Sequence, residues 1–236
     1  MKEECLRLVM AMLGILIILL VSWLILFLFE KKSLLVLGFT PVAKKIKQFG
    51  LGFLVSAVIC VTVTLALAGL RSETWLLSSQ FNLTLLLDSV WYDLKSVFTE
   101  ELIYRGALLY LLIKKLGSKK AVLISAVAFG VYHWFSFGVF GNVVPMIYVF
   151  LLTGLMGLVW AYAFAKTKSI MLPFGLHLGW NVINNGLFSK GPLGEIALVS
   201  TGGIEPEGAI MILGLVISVF VPPLVTWLFI KYIKKE

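Results

Sequence analysis

Seven stretches of this chain stay apolar for roughly twenty residues at a time, and no water-soluble body accommodates that many. They lie at about 8–29, 49–70, 93–113, 121–141, 145–165, 170–187 and 209–230. A helix rises about 1.5 Å per residue, so some 20 apolar residues cover the ~30 Å hydrocarbon core of a bilayer. Of the 236 residues 60% are hydrophobic and 14% charged, with mean hydropathy +1.02. A soluble domain carries about 45–50% apolar and about 25% charged residues, so polar surface is too scarce here for a water-exposed body. The expected fold is all-α: one integral membrane domain over 1–236, a bundle of about seven spans, or eight elements, around a buried polar site.

The first run follows KEECLR, is long for a signal peptide and shows no small-x-small cleavage site, so it reads as a retained span. Residues 81–98, FNLTLLLDSVWYDLKSVF, are too apolar for an exposed loop and too interrupted by Asp88, Asp93 and Lys95 for a clean span. They suit a surface-lying segment, a re-entrant piece or an early start to the third helix. Segment 33–40, before Pro41, suits the membrane interface. Pro222 and Pro223 predict a kink in the last span. Gly175 and Gly179, four apart, mark a candidate close helix contact. Cys5 and Cys60 have no CxxC or metal-like neighbour, which excludes a disulfide framework.

The net charge of +8 would suggest nucleic acid in a soluble chain, but here it carries topology. Lys31, Lys32, Lys44, Lys45 and Lys47 follow the first run. Lys114, Lys115, Lys119 and Lys120 follow the third, Lys166 and Lys168 the fifth, and Lys231, Lys234 and Lys235 the last. The alternate connections hold only Lys2, Arg7, Arg71 and Lys190, among the acids Glu3, Glu4, Glu73, Glu195, Glu205 and Glu207. Seven alternating spans put the lysine-rich connections on one side. By the positive-inside rule that side is cytoplasmic, with an external N-terminus and a cytoplasmic C-terminus.

Ionisable groups at membrane depth are costly and usually face an interior cavity. Three sets stand out. In TEELIYR, Glu101 and Arg105 are four apart with the acid first, the favourable order for an ion pair. Glu100 points about 100° away, in register with Tyr104. In FGVYH, His133 follows Phe129 by one turn. In HLGWN, His177 and Asn181 are four apart, and Asn184 continues their stripe. The chain has two histidines, and both fall inside expected spans. Measured from the lysine-rich side at about 1.5 Å per residue, Glu100 lies about 21 Å deep, His133 about 18 Å and His177 about 11 Å. Tilt or kinks can close the gap of some 7 Å, so one pocket built by three helices is plausible.

If these groups converge, a carboxylate beside an imidazole can hold and deprotonate water. A second imidazole with a carboxamide can donate to the oxygen of a tetrahedral intermediate. The same inventory of Glu100, His133 and His177 can also hold a divalent metal such as zinc, although HExxH is absent. The reading in which water is activated without metal is slightly favoured, because Asn181 suits an oxyanion donor better than a further zinc ligand.

EExxxR at 100–105, FxxxH at 129–133 and HxxxN at 177–181, in that order on three hydrophobic segments, resemble the motifs of the CPBP family. This is the CAAX protease and bacteriocin-processing or Abi family, which includes the type II CAAX prenyl endopeptidases. The resemblance covers about 93–190 and implies a polytopic intramembrane protease, metal-dependent or glutamate-dependent. It implies Glu100 as the water-activating base with His133 as its partner, and His177 with Asn181 as the oxyanion-stabilising pair. Glu101 and Arg105 resemble the supporting ion pair, with Tyr104 and Phe129 as supporting positions. The spans 8–29, 49–70 and 209–230 carry no motif and are expected to be peripheral to the motif-bearing core.

The implied partners are a membrane-associated peptide or protein substrate and the lipid bilayer, not nucleic acid. The Lys-rich, histidine-poor composition suggests the cytoplasmic membrane of a bacterium. Two other classes use similar residues. A non-catalytic scaffold or bacteriocin-immunity protein would tolerate replacement of the buried polar groups, and a transporter would respond to the transmembrane potential.

Overall fold

The computed structural model describes residues 2–234, with side chains from residue 12 onward. The expectations placed on Lys2, Glu3, Glu4, Cys5, Arg7 and Lys235 therefore fall outside the described side chains. Eight α-helices are present among the described residues: α1 (Lys2–Glu30), α2 (Val42–Arg71), α3 (Leu83–Arg105), α4 (Ala107–Leu116), α5 (Ser118–Ser136), α6 (Val143–Thr167), α7 (Met171–Asn181) and α8 (Gly208–Tyr232). A 3₁₀ turn, Leu34–Leu37, fills the interfacial segment, and a π turn, Val182–Leu187, continues α7. Two short strands, β1 (Glu73–Leu77) and β2 (Leu198–Gly202), pair antiparallel with Trp75 opposite Ser200.

The seven apolar runs correspond to α1, α2, α3 with α4, α5, α6, α7 with its π turn, and α8. The third run is two helices. Segment 81–98 is the early start of that run: Asn82 caps α3 by accepting from the Leu85 N–H at 2.8 Å, and the helix then continues to Arg105. It breaks at Gly106, where a Cβ would sit 2.1 Å from the Leu102 carbonyl oxygen. Only glycine fits the backbone there, so the residue after Arg105 permits the break. The strand pair is a feature the hydropathy pattern does not contain. α8 runs through Pro222 and Pro223, both buried.

Four helices are long and apolar enough to cross a membrane individually: α1 from Met12, α2, α6 and α8. They turn large apolar side chains outward, such as Leu16, Val58, Ile212 and Leu224, as a lipid-facing surface requires. The protein is an integral membrane helix bundle. The lysine-rich connections meet at one end of it. Lys114 pairs with Glu30, Lys166 Nζ donates to the Ile230 and Lys231 carbonyls at 2.8 and 2.7 Å, and Ser169 Oγ donates to the Gly38 carbonyl at 2.7 Å. The strand pair lies at the other end, after α2 and before α8.

α2 and α7 pack backbone to backbone. A Cβ at Gly175 would lie 2.1 Å from the Phe49 carbonyl oxygen, and one at Gly179 would lie 2.2 Å from that of Phe53. The two glycines are thus a true close contact. α7 is held against α3 on another side. Below this junction an apolar cluster of Phe129, Trp160, Ala163, Leu172, Leu176 and Ile230 fills the space between α5, α6, α7 and α8.

Candidate active site

The site grows from two antiparallel helices. On α3, Asp93, Val97, Glu101 and Arg105 repeat every four residues and are all buried. They form one slowly winding stripe, as i, i+4 spacing demands. That stripe faces α7. His177 Nδ1 lies 2.9 Å from Glu101 Oε1, and Arg105 Nη1 lies 3.2 Å from the same oxygen. The expected Glu101–Arg105 pair is therefore formed, with both side chains fully buried, and His177 joins it. The Arg105 guanidinium also lies 4.1 Å over the Phe129 ring and 5.3 Å from that of Trp160. Aromatic faces replace part of the lost hydration of this cation. Trp160 stacks on His177 with centroids 4.0 Å apart, which fixes the plane of the imidazole.

Glu100 lies on the adjoining face, as its 100° offset requires. Its Oε1 accepts from Ser96 Oγ at 3.3 Å, while its Oε2 is buried without a hydrogen-bond partner among the described residues. That free oxygen is 3.9 Å from His177 Nε2, a separation at which one water molecule can bond to both. Glu100 also lines a cavity of about 330 Å³ with Gly14, Ile18, Lys95, Thr99 and Tyr132, between α1, α3 and α5. The carboxylate is accordingly reached from the side of the bundle.

The geometry fixes which nitrogen of each ring is free. Carboxylate and carbonyl oxygens only accept, so each Nδ1 donates. His177 Nδ1 donates to Glu101, and His133 Nδ1 donates to the Phe129 carbonyl at 2.7 Å. Both rings keep Nε2 for other work. His133 is buried on α5, within electrostatic range of Glu100, His177 and Arg105. Neither a hydrogen bond nor an ion pair joins it to Glu100, whose imidazole neighbour at ion-pair range is His177. Tyr104 and Phe129 meet edge to face at 5.1 Å, and Phe129 touches both histidine rings. Asn181 is half-buried at the end of α7, one turn beyond His177.

A divalent metal held by Glu100, His133 and His177 does not fit this arrangement. Among the described residues no three His, Cys, Asp or Glu side chains are grouped to hold one ion.

The structure adds three residues that the motifs did not nominate. Trp160 stacks on His177. Asp93 Oδ1 accepts from Asn185 Nδ2 at 2.7 Å, and Asn185 Oδ1 accepts from Asn184 Nδ2 at 2.9 Å. Asn184 was expected on the His177 stripe, but Asn185 occupies that place. In a regular α-helix, eight residues past His177 falls about 80° off its face. The π turn closes i→i+5 and rotates each residue less, which brings Asn185 back toward α3. The i+8 spacing of Asp93 and Glu101 was the available sequence signal. The π turn left none.

Fold and site together define a helical membrane protein with a carboxylate–imidazole centre enclosed by α3, α5 and α7. Residues 82–183 match the family model of type II CAAX prenyl endopeptidases, Rce1-like. The match spans all three motifs and bears out the resemblance: this segment is similar to intramembrane proteases of the CAAX type. No curated protein and no solved structure matches the chain.

Proposed function

We propose that this chain is an intramembrane endopeptidase that hydrolyses a peptide bond in a membrane-associated peptide or protein, with water activated by Glu100. The observation that carries the reading is the free, buried Oε2 of Glu100 at 3.9 Å from His177 Nε2. A buried acceptor left open costs free energy unless a water or substrate fills it. Glu100 takes a proton from that water, and His133 Nε2 shares the proton on its way to the leaving amine. The Asn181 carboxamide donates to the oxyanion that forms on the scissile carbonyl, and His177, whose Nδ1–H stays on Glu101, adds a second hydrogen bond from Nε2 in its doubly protonated form. Glu101 and Arg105 hold His177 in place and do not touch the substrate. The cavity beside α1 offers the substrate a lateral path to Glu100. We read the lysine-rich end of the bundle as cytoplasmic, on the positive-inside rule.

The test is direct. Purified wild type in lipid nanodiscs, incubated with membrane-bound peptides carrying or lacking an isoprenylated C-terminal cysteine motif, should yield a new C-terminus by mass spectrometry. Glu100→Gln, with unchanged melting, should yield none. Full cleavage by Glu100→Gln would remove the base from the mechanism.

A further inference from the structure

One buried group takes no part in this chemistry. Asp93 is fully buried on α3, eight residues and about 12 Å along the helix from Glu101. Among the described residues no cation pairs with it; its Oδ1 accepts from Asn185 Nδ2 at 2.7 Å and its Oδ2 has no partner. A carboxylate in the interior of a membrane protein is costly to keep and generally serves a function.

Its place in the helix pair indicates that function. α3 and α7 run antiparallel, and His177 meets Glu101 while Asn185 meets Asp93. Four residues on from His177 is Asn181, and four back from Glu101 is Val97, so Asn181 lies between two polar anchors at the level of an apolar residue. Among the described residues no hydrogen bond joins its carboxamide to α3. The anchors on either side fix the stretch of chain that carries it. One is the Glu101–His177 pair, and the other is the Asp93–Asn185 bond, which falls within the π turn. That bond is braced further: Asn184 donates to Asn185, and the backbone at Gly191 lies so close that a Cβ would meet the Asn185 Cβ at 2.5 Å.

We propose that Asp93 and Asn185 are positioning residues. Their bond holds the π turn against α3 and so aims Asn181 at the reacting carbonyl. Neither residue touches the substrate. The inference rests on the peptidase reading for its kinetic consequence, but not for its structural one.

Two readouts on the full-length protein in nanodiscs separate these. The first is amide hydrogen exchange across 181–187, which needs no activity. Asp93→Leu should raise exchange there, and the exchanged pair Asp93→Asn with Asn185→Asp should return it to the wild-type level. The second is steady-state cleavage of whichever membrane peptide the wild type cuts. Asp93→Leu should lower kcat about 10- to 100-fold with KM within about twofold, the signature of a misplaced transition-state donor. The exchanged pair should recover most of kcat. Should Asp93→Leu not reach the membrane, Asn185→Ala carries the same expectations. Unchanged exchange in both Asp93→Leu and Asn185→Ala would overturn the proposal, as would lost kcat with unchanged exchange. A wild type that cuts no peptide defeats the peptidase reading, while the exchange result still decides the clamp.

Discussion

α1, α2, α6 and α8 are long and apolar enough to cross a bilayer individually, whereas α3 with α4, α5, and α7 with its π turn do not meet that standard. The three motifs lie on the second set, and all their ionisable groups with them. The contrast is physical. A helix face turned to lipid must be apolar, as Leu87 of α3 and Val127 of α5 still are, while a face turned inward can carry charges if they are paired there. On the inward faces of the second set Glu101, Arg105 and His177 neutralise one another at 3.2 Å or less. The first set supplies, through Trp160 of α6, one wall of the site.

If that division is right, damage should scale with position. The largest effect is expected at Arg105. Arg105→Ala leaves Glu101 buried without its cation, and breaking such a pair costs about 3–5 kcal/mol, read as lower melting and lower yield in membranes. His177→Ala comes next. It removes one oxyanion donor and should lower kcat about 10²–10³-fold, with a smaller loss of stability than Arg105→Ala. Gly179→Ala probes the seam between the two sets. Its Cβ would lie 2.2 Å from the Phe53 carbonyl oxygen, and overpacking of this kind costs about 1–3 kcal/mol. Gly14→Ala, with open space around the new methyl group, is its control. The smallest effect is expected at Ile212 on the outer face of α8: Ile212→Ala should change stability by less than about 0.5 kcal/mol and leave cleavage intact. A large effect at Ile212 together with a small one at Arg105 would erase the distinction.

Much of this was legible in the sequence, for reasons that differ by residue. The apolar runs gave the helices because spanning length is a hard constraint. The i, i+4 order of Glu101 and Arg105 gave their pair, and Gly175 with Gly179 gave the α2–α7 contact. Gly106 was in plain view directly after the first motif, yet a glycine inside an apolar run does not announce a break. Only the Leu102 carbonyl pressing on its absent side chain explains it. Asp93 read as an interruption of a span because its partner, Asn185, comes into line through a π turn. Periodicity analysis assumes about 100° per residue and therefore selected Asn184. The short strands Glu73–Leu77 and Leu198–Gly202 find each other across 120 residues of chain, and nothing local encodes that pairing.

The central claim is that Glu100 activates water which attacks the scissile carbonyl directly. It is tested most directly by a single turnover in ¹⁸O-labelled water, using exhaustively chelated wild type in nanodiscs whose metal content has been measured. The account predicts one ¹⁸O in the new C-terminal carboxylate of the product, none in the peptide containing Glu100, and an undiminished rate without metal. Label appearing in Glu100 itself would contradict direct attack by water, and activity that vanishes with the metal and returns on its addition would contradict the metal-free mechanism.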